Sequence, residues 1–242
     1  MRFECAAAEV RIACLAWQTR AVTRVIAGAA GGRTLRVPPG NGTRPTSDRA
    51  REGLFASVMS EFGDLGGVRV MDLYAGSGAL GLEALSRGAA SVLLVESDAR
   101  AAAVVKANVK VLGLPGATVA ADRVERLLAR PGDERGHQPG EGYDLVFADP
   151  PYAVTDEAVV KMLALLADGW LADDALVVVE RATRSGPFDW PPGYAEGKSR
   201  RYGEATFWYG WYGSGAEAGQ AAQPRAVVPG PPLDAPRRAH EE

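Results

Sequence analysis

Cysteine is almost missing from this chain. Its two thiols, Cys5 and Cys14, stand close together near one end of 242 residues, which excludes a disulfide framework. Histidine is as rare. His137 and His240 stand alone, so no Cys/His set has metal-ligand spacing and no metal is expected; both read as surface residues. No run of about 18 apolar residues occurs, which excludes a helical membrane span. Arg2, Glu4, Glu9 and Arg11 interrupt the first twenty residues, so the unbroken apolar core of a signal peptide is missing. The expected compartment is the cytoplasm. A strong charge of one sign is absent too. The net charge of −3 argues against a chain that is basic throughout, but nucleic-acid binding needs only a local basic face. What is present is a hydrophobic fraction of 47 %, enough at this length for one α/β domain with short extensions.

Four zones follow along the chain. Residues 1–21 have no clear period and are expected to be disordered or non-native, with translation starting at Val22. Residues 22–46 read as a basic hairpin region of short strands and turns, punctuated by glycine and proline. Residues 47–212 carry the main domain. Ser47 or Asp48 reads as a helix N-cap, with Leu54, Phe55, Val58 and Met59 along one face behind it. Apolar runs at 68–73, 91–95, 117–121, 143–148 and 175–179 then alternate with helical patterns at 78–87, 98–112, 123–129 and 155–167. Buried Val/Leu strands alternating with helices predict a doubly wound, mostly parallel sheet covered on both faces. Residues 130–142 read as a loop and 194–212 as a hairpin turning at Tyr202-Gly203. From 213 to 242 the Gly, Ala, Pro, Gln and charged composition predicts a disordered tail.

The segment Val70-Met71-Asp72-Leu73-Tyr74-Ala75-Gly76-Ser77-Gly78-Ala79-Leu80-Gly81 is a strand, a Gly-rich turn and a helix start. Gly76, Gly78 and Gly81 also fit the dinucleotide pattern G-x-G-x-x-G. Asp72 favours another ligand. A carboxylate at the strand's carboxyl end repels a pyrophosphate but suits the ammonium and sulfonium of S-adenosyl-L-methionine. Asp72, Tyr74, Gly76 and Gly78 are therefore candidate cofactor-binding residues. Glu96, ending the next strand, can accept both ribose hydroxyls. Asp122, ending the third, either accepts from the adenine amino group or belongs to a charged surface helix with Arg123 and Glu125.

Asp149-Pro150-Pro151-Tyr152 follows the apolar run Leu145-Val146-Phe147-Ala148, which puts it at a strand's carboxyl end beside the cofactor crevice. Asp149 and the carbonyl of Pro150 can accept hydrogen bonds from an exocyclic NH2. Two prolines hold those acceptors rigidly, and Tyr152 can stack on an extruded base. An aromatic amine is a weak nucleophile, so fixed acceptors that favour its pyramidal form are what methyl transfer to it requires. Seven arginines lie between residues 20 and 51 against one acid, Asp48. Arg24, Arg33, Arg44, Thr46 and Arg49, with Pro151 and Arg201 from the later segments, are candidate contacts to a phosphate backbone or base.

Together the segments Arg24–Gly28, Gly31–Arg33, Thr43–Phe55, Asp72–Gly81, Asp149–Tyr152 and Arg201–Glu204 resemble the bacterial small-subunit ribosomal RNA guanine-N2 methyltransferases of the RsmD type. The resemblance spans about residues 23–209 and is absent before and after them and in the 130–142 loop. It implies a Rossmann-like class I methyltransferase with a seven-stranded sheet whose last strand is antiparallel. It further implies methylation at N2 of one guanine in 16S rRNA, with the 30S subunit or an assembly intermediate as partner and the enzyme a monomer. The Asp149 motif alone is shared with adenine-N6 and cytosine-N4 enzymes. A DNA adenine-N6 methyltransferase and a non-catalytic RNA-binding assembly factor therefore remain open alternatives.

Overall fold

The computed structural model describes residues 22–39, 47–130 and 142–213. Two short strands, β1 (Val22–Arg24) and β2 (Thr34–Arg36), pair antiparallel. After them come α1 (Asp48–Phe62), β3 (Arg69–Leu73), α2 (Ala79–Ser86), β4 (Ser91–Val95), α3 (Ala99–Leu112), β5 (Ala117–Ala120) and α4 (Val124–Leu128). The chain continues with β6 (Tyr143–Ala148), α5 (Asp156–Ala167), β7 (Leu171–Ala182), β8 (Tyr194–Tyr202) and β9 (Ala205–Tyr212). The zones 1–21, 131–141 and 214–242 lie outside the described residues, and so do Arg44 and Thr46.

Strands β3 to β9 form one seven-stranded sheet in the order β5-β4-β3-β6-β7-β9-β8. All neighbours are parallel except β9, which runs antiparallel to both β7 and β8. The doubly wound sheet and its antiparallel last strand are as expected. Alternation along the strands divides the core. Val70, Leu94, Phe147 and Val178 face α1, α2 and α3, whereas Met71, Val95, Val146 and Val179 face α4 and α5. Both faces are thereby closed to water, which is why the strands read as unbroken apolar runs. The run expected at 175–179 is longer, from Leu171 to Ala182. Pairing of Ala175–Ala182 with β9 carries the ladder past the apolar stretch, and the acids Asp173 and Asp174 hid its start. Ser47 is the N-cap of α1, its hydroxyl accepting from the amide of Ala50 at 3.2 Å.

Buried polar side chains fasten the small hairpin to the domain. Glu83 of α2 is fully buried; its carboxylate accepts from the amides of Ile26 (2.6 Å) and Ala27 (3.0 Å) and from Arg87 Nε (2.7 Å). Ser86 accepts from the amide of Ala30 and donates to the carbonyl of Ala27. Asn108 of α3 bonds both backbone groups of Arg36 and the carbonyl of Ser77 in the Gly-rich turn. Arg51 of α1, 1 % exposed, donates to Thr23 Oγ1, the carbonyl of Arg24 and Asp48 Oδ1. Gly28 is obligatory here: at φ +81° a Cβ would lie 1.9 Å from the carbonyl oxygen of Ser86. Replacing Glu83 with Gln sets an NH2 against one of two part-buried amides. The expected cost is about 2 kcal/mol, read as a lower urea midpoint, with faster hydrogen exchange at Ile26 and Ala27.

Candidate active site

The carboxyl ends of β3, β4 and β6 meet where the strand order reverses, the position at which open α/β sheets bind ligands. Leu73 lies opposite both Val95 and Ala148. The residues just beyond each strand therefore share one crevice. The amide of Ala75 donates to the carbonyl of Val95, and that of Gly76 to Glu96 Oε2 at 2.9 Å. Glu96 Oε1 accepts from the amide of Asp98, so one oxygen is held to the Gly-rich turn and the other to the segment that follows β4. Gly78 is the left-handed N-cap of α2, at φ +77°. Gly81 lets that helix pack tightly on the sheet, because a Cβ there would fall 2.7 Å from Val92 Cγ2 and 2.9 Å from Leu94 Cδ2.

Asp72 is 2 % exposed and accepts from the amide of Gly81 at 2.8 Å. Burial pushes its carboxyl up to about 7, against the lowering effect of the Gly81 amide, and the charge of Glu96 adds to the rise. Tyr74 has φ +62° and donates from its hydroxyl to Glu125 Oε1 at 3.2 Å. Burial and the Glu125 carboxylate push its phenol up. Asp122 is differently occupied. One oxygen bonds Arg126 and the amide of Arg123, the other Arg130. Burial raises its carboxyl, but the hydrogen bonds from Arg126 and Arg130 outweigh that and hold it below the usual range. An ion-paired cluster at α4 is thus the geometry around Asp122.

Asp149 is half-buried, and its amide donates to the carbonyl of Leu73. Burial first, then the charges of Glu180 and Asp72, raise its carboxyl well above the ordinary range. Pro150 is buried, while Pro151 and Tyr152 are exposed, Tyr152 by 59 %. The guanidinium of Arg184 lies 5.9 Å from the Tyr152 ring centroid. A cavity of about 710 Å³ opens beside this motif, lined by Arg49, Tyr152, Glu180, Arg201, Tyr202 and Glu204 among others. Arg49, Arg201 and Tyr152 are therefore brought together on the wall of one cavity. Arg24 and Arg33 have other partners. Arg24 pairs with Asp48 at 3.0 Å, and Arg33 donates to the carbonyls of Val111 and Leu112 at the end of α3, a favourable place for a cation. Glu180 was not among the residues expected. It stands one residue past an apolar run, as do Glu96 and Asp149, and that shared position is the signal that marks it.

The family model described as conserved hypothetical protein 95 matches residues 23–211. Ribosomal RNA small subunit methyltransferase D of Escherichia coli strain K12 is 38 % identical over 174 residues, 69 % of this chain and 80 % of that protein. A solved Escherichia coli chain described as a candidate methyltransferase superposes with a TM-score of 0.67 at 32 % identity, covering 80 % of this chain and 99 % of that one. The magnesium protoporphyrin IX methyltransferase of Synechocystis, solved with bound S-adenosylmethionine, shares the fold at 15 % identity and a TM-score of 0.51, over 68 % of this chain and 78 % of that one. With the hairpin, the Gly-rich turn and the Asp149–Tyr152 motif all inside the matched span, this chain belongs to the conserved hypothetical protein 95 family, of the RsmD type that its motifs resemble.

Proposed function

We propose that this protein is an S-adenosylmethionine-dependent methyltransferase that acts on N2 of one guanine in 16S rRNA, as a monomer on the 30S subunit or an assembly intermediate. The observation that carries the reading is the crevice where Asp72, Glu96 and Asp149 converge, with a wide cavity next to it bordered by Tyr152 and two arginines. The relatives named for ribosomal RNA methylation support the substrate class. The residues fit the cofactor. Asp72 is a buried carboxyl beside the Gly-rich turn, in which Gly76 leaves space around it, an environment that welcomes a cation and disfavours a phosphate. Asp72 would hold the ammonium group and Glu96 the ribose hydroxyls. When bound, S-adenosylmethionine supplies an electrophilic methyl on its sulfonium.

The chain's own residues supply position and proton handling. Tyr152, supported by Arg184, stacks on the base. Asp149 and the Pro150 carbonyl accept from the amino group and aim its lone pair along the line of transfer. As the new N–C bond forms, the amine nitrogen becomes cationic and must lose a proton. Asp149, raised by burial and two neighbouring carboxylates, is basic enough to take it and pass it to solvent. Arg49 and Arg201 face the phosphates around the extruded nucleotide. The test is nucleoside mass spectrometry of rRNA from 30S particles of a strain lacking the gene, treated with the protein and labelled cofactor. Label in N2-methylguanine is expected. Label only in N6-methyladenine, or none, sinks the reading.

A further inference from the structure

We infer that Glu180 reads the Watson–Crick edge of the target base and selects guanine. Strands β6 and β7 run parallel with Ala148 opposite Val179, so Asp149 and Glu180 are the next residues on neighbouring strands. Side chains alternate along each strand. Phe147 and Val178 face one core and Ala148 and Val179 the other, so Asp149 and Glu180 both return to the face of Phe147. There Glu180 is half-buried and lines the cavity with Tyr152, Arg49 and Arg201. Its charge acts on Asp149 directly. Two carboxylates thus stand on neighbouring strands, Glu180 in the wall of the cavity and Asp149 next to it in register, and methyl transfer has assigned a task to only one of them.

The chemistry of the second follows from the base. Guanine presents two adjacent donors, N1–H and one N2–H, while its other N2–H points away from N1. An ionised carboxylate only accepts, and its two oxygens match a pair of adjacent donors. Glu180 takes N1–H and the nearer N2–H; Asp149 and the Pro150 carbonyl take the remaining N2–H. Adenine and cytosine put a ring-nitrogen acceptor beside the amino group, and a carboxylate repels it. This assignment rests on the guanine-N2 reading above.

The experiment uses 30S particles reconstituted with RNA carrying either guanosine or 2-aminopurine riboside at the methylated position. Both bases have the 2-amino group, but N1 of 2-aminopurine is an acceptor. The wild-type protein is expected to prefer guanine by at least about 100-fold in kcat/KM, since a site built to bond a donor rejects the analogue lacking it. In Glu180→Gln the amide NH2 can donate to N1 of 2-aminopurine, and the preference is expected to fall by at least about tenfold. The ratio is independent of how much of each preparation is active. An unchanged ratio overturns the inference, whether the rates stay the same or drop together as a merely structural role would make them. A wild-type protein that forms no N2-methylguanine overturns the parent reading instead, visibly and before any variant is made, and this inference with it.

Discussion

Replacing Asp149 with Ala is expected to lower kcat for methyl transfer by on the order of 10³-fold, with the cofactor dissociation constant changed by less than about twofold. The reason is where Asp149 sits. It follows β6 directly, its own amide is tied to Leu73, and buried Pro150 comes next, so the backbone that carries its carboxylate is fixed. An acceptor so fixed costs no reorganisation when the amine begins to pyramidalise. Asn at the same position keeps one acceptor oxygen but cannot take a proton, and its loss is expected to be about tenfold to 100-fold. The pH dependence has a definite sign. Burial and the charges of Glu180 and Asp72 raise the Asp149 carboxyl, so wild-type activity rises with pH as that proton leaves, whereas Asp149→Asn loses that limb. Single-turnover rates from pH 6 to 9, alongside calorimetric cofactor binding, check both points. An Asp149→Ala variant with wild-type single-turnover rates defeats the assignment.

The second large effect concerns Asp72, where stability and binding are expected to move in opposite directions. Its carboxyl titrates near 7 in the folded protein and near 4 in an unfolded chain. Between those values the folded state keeps a proton that the unfolded state has lost, so stability falls as pH rises through that window. Three pH units at 1.36 kcal/mol each give about 4 kcal/mol as the upper end of the loss. Asp72→Asn keeps an acceptor for the Gly81 amide and removes the titration. It should be the more stable protein above pH 7, and the two denaturation midpoints should converge toward pH 4. Binding reverses the order. A cationic ligand requires the ionised form, so wild-type affinity for S-adenosylmethionine should strengthen about tenfold per pH unit as pH approaches 7 from below, then level off. The variant should bind about 100-fold more weakly at pH 8, with no such dependence. Equal affinities at pH 8 would remove Asp72 from the cofactor site. The acid is thus kept at a cost to the empty fold, a sign that its work is done with a ligand present.

Much of this was legible in one dimension because its physics is local. The strand–turn–helix around Gly76 and Gly78 needs a left-handed N-cap at Gly78 and close packing at Gly81, and only glycine meets both needs. The runs that became β4 and β6 kept the bounds expected, because both faces of each are apolar. Asp149-Pro150-Pro151-Tyr152 carries its rigidity in its own prolines. The sequence by itself therefore determined the alternation of strands and helices, the place of the Gly-rich turn, and the chemistry of the residue that ends each parallel strand. Tertiary structure alone decided which of those residues meet. Nothing in the residues around Glu83 shows that the hairpin folds back and sets two amides against it. Arg33 reads as a phosphate contact until α3 ends beneath it. Asp122 could have faced a ligand until α4 brought Arg126 and Arg130 to it. Glu180 lies 31 positions from Asp149, and only the β6–β7 register makes them neighbours. Pairing between distant segments is set by how whole faces are buried, and a residue's partners across a sheet are not encoded in its own neighbourhood.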